Sequence, residues 1–283
     1  MTSTAAIVGA GHVGGAAAQA LAASDRIGRL LIVDASVSAA RGKALDIRQA
    51  GAISGFHTHL DGTDDFSRIT GCGVCVIADR FGQDDGEWRG DEGFAMINRI
   101  LGYLGSAPIV FAGTLQAELI SLTAIEARVD RRRLVGSAPE ALVSAVTAIV
   151  AMEAACSPRE VMLTVLGTPP TGFVVPWSAA SIGGYPLQAV LPQVALSRLH
   201  ARLPHLWPPG PYALGAAAAR IAEAVLSSSR QSFSILTQLG GEFGVRNRPG
   251  AVPARLGAGG IAQIRVPELT SRERVQLQSA LGG

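Results

Sequence analysis

The chain has 283 residues, 48% of them hydrophobic and 16% charged, which supplies enough apolar material for one large or two ordinary domains and excludes a disordered chain. A formal net charge of +2 gives no pull toward nucleic acid or an acidic membrane face. Three cysteines in a chain of this size exclude a disulfide framework.

In chain order, Met1-Thr2-Ser3-Thr4 runs directly into Ala5-Ala6-Ile7-Val8, so no secretory leader is expected. Short β-branched runs then alternate with helical patterns, the pattern of a parallel sheet. Strands are expected over residues 5–9, 30–34, 74–79, 109–112 and 134–136, and helices over 13–24, 38–50, 94–105 and 115–128. Five strands with interleaved helices fit a Rossmann doubly wound α/β domain over residues 1–137. The remainder, 138–283, reads as an α+β second domain. It opens with a long apolar helix over 139–156 and a strand over 160–166. A helix over 215–227 follows, then strands over 233–239, 251–256 and 261–266, and a last helix capped by Thr270 or Ser271.

Within this frame some features carry no chemistry. The apolar run Ala141 to Met152 is shorter than the ~20 residues that a bilayer requires and reads as a buried helix. Cys72 and Cys75 form a C-x-x-C whose spacing puts them on opposite faces of a strand, so neither a redox pair nor a metal half-site is expected, and no metal is. Lys43 is the only lysine, and Arg131-Arg132-Arg133 reads as a solvated stretch between a helix and a strand. These features describe a soluble cytoplasmic protein with no nucleic-acid or membrane partner.

One loop does carry chemistry. Gly9-Ala10-Gly11-His12-Val13-Gly14 is a G-x-G-x-x-G that follows a strand and opens a helix. The first glycine permits the tight turn, the second lets backbone N–H groups approach a pyrophosphate, and the third lets the helix pack on the sheet. Asp34 ends the next strand twenty residues after Gly14, where a carboxylate accepts hydrogen bonds from an adenosine ribose. The same charge repels a 2′-phosphate, so the expected cofactor is NAD.

Further matches accumulate around this loop. After Asp34 come Arg41-Gly42-Lys43-Ala44-Leu45-Asp46-Ile47 and then Gln83-Asp84-Asp85-Gly86-Glu87-Trp88-Arg89. Trp177-Ser178, Ile182-Gly183-Gly184-Tyr185-Pro186-Leu187, Gly240-Gly241-Glu242-Phe243-Gly244-Val245, Val252-Pro253-Ala254-Arg255-Leu256-Gly257 and Leu269-Thr270-Ser271-Arg272-Glu273-Arg274 follow in order. Over nearly its whole length the chain resembles the lactate/malate dehydrogenase family. The resemblance implies NAD-dependent oxidation of a 2-hydroxy acid, and a homodimer or homotetramer.

That chemistry needs a histidine as acid–base, an aspartate to orient it, and an arginine fork for the substrate carboxylate. By the resemblance, the histidine position is Pro169, and the aspartate and arginine positions fall at Leu142 and Ala145, in a stretch with no ionisable group from Ala141 to Val150. Gly113-Thr114-Leu115 stands where the family has an asparagine turn. Arg89 keeps the position of the lid arginine, and Gln83 that of the specificity residue. The other histidines read as surface or packing residues: His12 in the phosphate loop, His57 and His59 near the adenine side, His200 and His205 in an arginine- and proline-containing run. The acidic residues Asp84, Asp85, Glu87, Asp91 and Glu92 read as a solvated cluster on the lid.

Two further departures alter the site. Where the family strand ends in small residues beside the cofactor, this one ends Ala78-Asp79-Arg80, and the charged pair is expected to obstruct the dinucleotide or remake its contacts. Between Pro186 and Tyr212 the chain is shorter than the family pattern, and Gly210-Pro211 replaces a substrate-facing hydroxyl, so a remodelled or open pocket is expected. Three functions follow: an NAD(H)-binding family member whose 2-hydroxy acid chemistry is lost or strongly altered, an active dehydrogenase with a relocated base, or a structural partner with an empty nucleotide cleft. Loss of base, orienting acid and anchor together, with the glycine loop intact, favours the first.

Overall fold

A computed structural model describes residues 3–83 and 86–282. Its first half runs β1 (Thr4–Val8), α1 (His12–Ala23), β2 (Arg29–Val33), α2 (Val37–Ser54), β3 (His59–Thr63), β4 (Val74–Ile77), α3 (Gly90–Leu104), β5 (Ile109–Phe111), α4 (Ala117–Ile125) and β6 (Leu134–Gly136). The six strands pair in parallel in the order β3-β2-β1-β4-β5-β6, the doubly wound arrangement in which ligands sit at the carboxyl ends of β1 and β4, where strand order reverses. β3 was absent from the expected strands. Its sequence, His-Leu-Asp-Gly-Thr, has a single apolar side chain, and it forms only because β2 offers an unpaired edge.

The second half adds α5 (Ala138–Ala154), β7 (Val161–Met162), β8 (Leu166–Thr168), β9 (Gly172–Val174), β10 (Ser181–Ile182), β11 (Tyr185–Pro186), α6 (Leu187–Val190), α7 (Gln193–Arg202), α8 (Pro211–Ser227), β12 (Ser232–Gly240), β13 (Arg246–Gly257), β14 (Gly260–Ile264) and α9 (Ser271–Ala280). β12 pairs antiparallel with β6 at Leu236 opposite Gly136, so the sheet runs on through β13, β8 and β9. The single strand expected over 160–166 is two short ones in different sheets: β7 pairs with β10, β8 with β13 and β9.

Alternation along β1 sorts its side chains onto two cores. Ala5 and Ile7 face the cluster that holds Ala17 and Leu21 of α1 and Ala218 and Ile221 of α8. Ala6 and Val8 face the one that holds Ile97 and Ile100 of α3 and Leu119 of α4. A third cluster forms around α5, whose Leu142, Val146 and Val150 join Val165, Val175 and Trp177. Each Val, Leu or Ile among these contributes about 1.5–3 kcal/mol on burial. Among the described residues no helix is long and apolar enough to cross a membrane.

Cys72 precedes β4 and Cys75 lies within it, and both join the same core cluster. The opposite-face expectation fails because the strand starts only at Val74. Both thiols are unbonded, and burial raises them, Cys72 to about 11 and Cys75 well above its usual value. Thiol titration of the native protein at pH 8 is therefore expected to report Cys156 alone, and all three after denaturation; a second fast native thiol would refute this packing.

The arginine run is not solvated throughout. Arg131 forms a two-pronged pair with Glu242, at 3.0 and 2.9 Å, and Arg133 donates to the carbonyls of Gly105 and Ala107. At the C-terminus, Thr270 caps α9 in a reciprocal box with Glu273, and the Glu273 carboxylate also accepts from the N–H (3.1 Å) and hydroxyl (2.6 Å) of Ser178. Burial pushes this carboxyl up, but the bonds from Ser178 and Thr270 outweigh it and hold it below its usual value. A depressed folded value means that the stabilisation exists above the unfolded value and is lost as pH falls through the folded one. Thermal melts of Glu273→Gln should therefore lie below the parent at pH 7 by about 1–3 kcal/mol and converge with it in acid; parallel curves across that range would rule the account out.

Candidate functional site

The glycine loop joins β1 to α1 where β1 and β4 diverge. Gly9 has φ +113°, which only glycine adopts without strain, and its N–H donates to the Val33 carbonyl at 2.7 Å. Ala10 and Val13 are buried, and Val13 packs in the first core. Gly11 is the N-cap of α1 but supplies no side chain to the N–H groups of its first turn. His12 is exposed and lines a ≈280 Å³ cavity with Lys43 and Tyr212.

Those N–H groups already have an acceptor. The carboxylate of Asp79 lies over the start of α1, with Oδ2 2.7 Å from the His12 nitrogen and Oδ1 2.9 Å from that of Gly14, while its main-chain oxygen accepts from Gly11 at 2.8 Å. A Cβ on Gly11 would run into this carboxylate. The helix dipole and first-turn donors that would favour a pyrophosphate are thus satisfied by an anion from the chain itself. Ala78-Asp79-Arg80 thus ends β4 with a carboxylate seated on the loop's own donors.

Asp34 stands at the end of β2 beside the loop, as expected of a ribose acceptor. It is buried, and its carboxylate accepts from Ala10 (2.8 Å), Ser36 (2.9 Å) and Phe81 (3.1 Å). Next to it lies a cavity of ≈280 Å³ whose walls include Val33, Phe66, Trp88, Met96 and Arg99. Trp88 Nε1, a donor, is buried with no partner among the described residues. The fit to a dinucleotide is therefore divided: room and a carboxylate exist for adenosine, whereas the pyrophosphate donors are occupied.

The described parts of the loop, residues 80–83 and 86–89, fold back on the cleft. Asp79 and Glu87 pair as a β-bridge, Arg80 donates from its main chain to Gly86 at 2.9 Å, and its guanidinium stacks 4.6 Å from the Trp88 ring centre while pairing with Glu92. Glu87 is half-buried. Its Oε1 accepts from the N–H and hydroxyl of Thr114 at 2.8 and 2.9 Å, and Oε2 from the N–H of Leu115 at 2.9 Å, which latches the loop onto the turn after β5. Of the expected acidic cluster, Asp91 is exposed at the start of α3, and Asp84 and Asp85 lie outside the described residues. Gln83 is exposed, and Arg89 is exposed as the N-cap of α3.

The positions expected to carry acid–base chemistry hold none. Leu142 is fully buried in the third core, Ala145 is half-buried on the same helix, and Pro169 is buried in the turn between β8 and β9. Glu140, which the sequence reading passed over, is buried nearby, but its carboxylate serves the Ser234 N–H (3.0 Å) and Arg220 (3.5 Å). His200 packs its ring against Trp177 and bonds to the Leu196 carbonyl through Nδ1 at 2.7 Å, and His57 pairs with Asp25. The shortened 186–212 segment is filled by α6, α7 and a short turn of helix over Leu203–Leu206.

Comparison with known proteins agrees with this architecture. A family model for the NAD binding domain of lactate/malate dehydrogenase matches residues 4–106. A malate dehydrogenase of Methanosarcina mazei is 30% identical over 274 residues, 91% of this chain and 89% of that protein. One from Thermomicrobium roseum is 30% identical, over 96% and 92%. Among solved structures, malate dehydrogenase from Salinibacter ruber superposes with a TM-score of 0.87 at 24% identity, covering 99% of this chain and 94% of that one. A Cryptosporidium parvum lactate dehydrogenase, complexed with lactic acid and NAD, gives 0.88 at 20%, covering 99% and 95%.

Proposed function

Because the chain belongs to the lactate/malate dehydrogenase family, whose N-terminal domain makes NAD(H) its cofactor, we propose that it is a nucleotide-binding member without the family's hydride-transfer chemistry on 2-hydroxy acids. The observation that carries this reading is the third core: the helix face that should present an acid and an arginine is apolar, with Leu142 fully buried among Val165, Val175 and Trp177. Proton transfer needs an ionisable group within reach of the substrate hydroxyl, and anchoring a carboxylate needs a fixed cation. Pro169, Leu142 and Ala145 supply neither. Arg89 alone keeps its place, exposed on the loop, and Gln83 keeps the specificity position with no anchor beneath it.

A nucleotide-responsive or assembly role, as a cytoplasmic homo-oligomer divided into domains near residue 137, goes with this reading. NADH oxidation against a panel of 2-oxo acids, at high protein concentration, tests it. The expected rate is at least about 10³-fold below that of a competent family enzyme for every acid; faster turnover that Arg89→Ala abolishes would overturn the proposal in favour of an active enzyme with a relocated base.

A further inference from the structure

We propose that Asp79 is an internal competitor of the dinucleotide, a tethered carboxylate that sits in the pyrophosphate seat and sets the affinity of the cleft for phosphorylated nucleosides. The inference rests on the dinucleotide-binding reading above. It deepens that reading by naming the residue that decides which ligands the site admits.

The geometry is that of a phosphate mimic. Two carboxylate oxygens bond two first-turn N–H groups of α1, at 2.7 and 2.9 Å, and the glycine that opens the approach, Gly11, faces the carboxylate directly. The mimic is held from behind: Asp79 is bridged to Glu87, and its neighbour Arg80 is fixed by the Gly86 carbonyl, the Trp88 ring and Glu92. Phe81 is bonded in turn to Asp34. An entering pyrophosphate would meet a like charge at hydrogen-bonding distance of the same donors, so the two anions cannot share the seat.

The adenosine half is not closed in this way. The ≈280 Å³ cavity beside Asp34 is lined by Gly9, Phe66 and Trp88, and Asp79 is not among its lining residues. Asp79 therefore discriminates by phosphate, not by base. Where the competent state of a site is a minor one, populated at about 0.1–10%, the apparent dissociation constant exceeds the intrinsic one by the inverse of that fraction. Removing the tethered anion recovers that factor for ligands that carry a diphosphate and leaves others alone.

The experiment compares the full-length parent with Asp79→Ala and Asp79→Asn, by NADH fluorescence titration and by calorimetry with ADP and adenosine. Glu126→Gln, an exposed site at the far end of α4, controls for the change in net charge. Circular dichroism establishes that each variant folds, and Asp79→Asn keeps the shape should Asp79→Ala not fold. Asp79→Ala is expected to bind NADH and ADP about tenfold or more tightly than the parent, Asp79→Asn to fall between, and Glu126→Gln to match the parent. Adenosine affinity should stay unchanged throughout. Equal NADH affinity in the parent and both Asp79 variants would overturn the competitor role while leaving dinucleotide binding intact, as would weaker binding after removal of the carboxylate. NADH binding by none of the folded proteins would overturn both this inference and the dinucleotide reading. A matching rise for adenosine would show that the cleft had merely loosened, and would also overturn it.

Discussion

Leu142→Asp is expected to abolish folding, not to restore an orienting acid. Leu142 has no exposure to solvent, and it is buried in an apolar cluster with Val146, Val165, Val175 and Trp177. Removing the leucine costs about 2–5 kcal/mol in packing. An unpaired carboxylate buried in its place adds several more. The sum is comparable to the ~5–15 kcal/mol that holds a whole domain together. Glu140, two residues earlier on α5, shows what a buried carboxylate needs here: burial pushes its carboxyl up, even with Arg220 and the Ser234 N–H to offset the cost. Ala145→Arg, on a half-buried position of the same helix, should fold. Circular dichroism melts settle the matter, and a Leu142→Asp protein with a parental midpoint would mean that this helix face is open to water.

The second large effect concerns rate. Assayed with NADH and pyruvate or oxaloacetate, the purified chain should turn over about 10³–10⁶-fold more slowly than a competent family enzyme. A positioned acid–base is worth about 10²–10⁴-fold, and a charge-assisted carboxylate clamp ~1.5–3 kcal/mol. Together these remove roughly 4–8 kcal/mol of transition-state stabilisation. Occupation of the pyrophosphate donors by Asp79 lowers cofactor saturation further and shows as a raised NADH requirement, separable from the chemical step by varying NADH. Brisk reduction at micromolar protein would sink the account and reopen the register around Pro169.

The fold was legible because its signal is local. β-branched runs at β1, β2, β4 and β5, glycine-opened α1 and the Thr270–Glu273 box each lie within a few residues of sequence. β3 escaped because an edge strand can be polar when a neighbour supplies its hydrogen bonds. The site was legible only in its absences. A proline or a leucine declares at once that it cannot transfer a proton. Glu87, by contrast, read as a solvated loop acid because its partners, Thr114 and Leu115, lie 27 and 28 residues away and are brought to it by the turn after β5. Asp79 was conspicuous for its size among small residues, but the N–H of Gly14 lies 65 residues from it, and no spacing rule couples the two. Long-range pairing of a side chain with backbone donors is a property of the packed sheet.

Asp79 also bears on what a nucleotide fingerprint certifies. Of the three glycines that would admit a pyrophosphate, Gly11 leaves the room that the Asp79 carboxylate fills, Gly9 lets the Asp79 main chain pass, and Gly14 lets the helix close on the Gly9 carbonyl. Their presence in a sequence therefore guarantees a socket for negative charge at the start of a helix, and is silent on whether that charge arrives from solution or belongs to the protein.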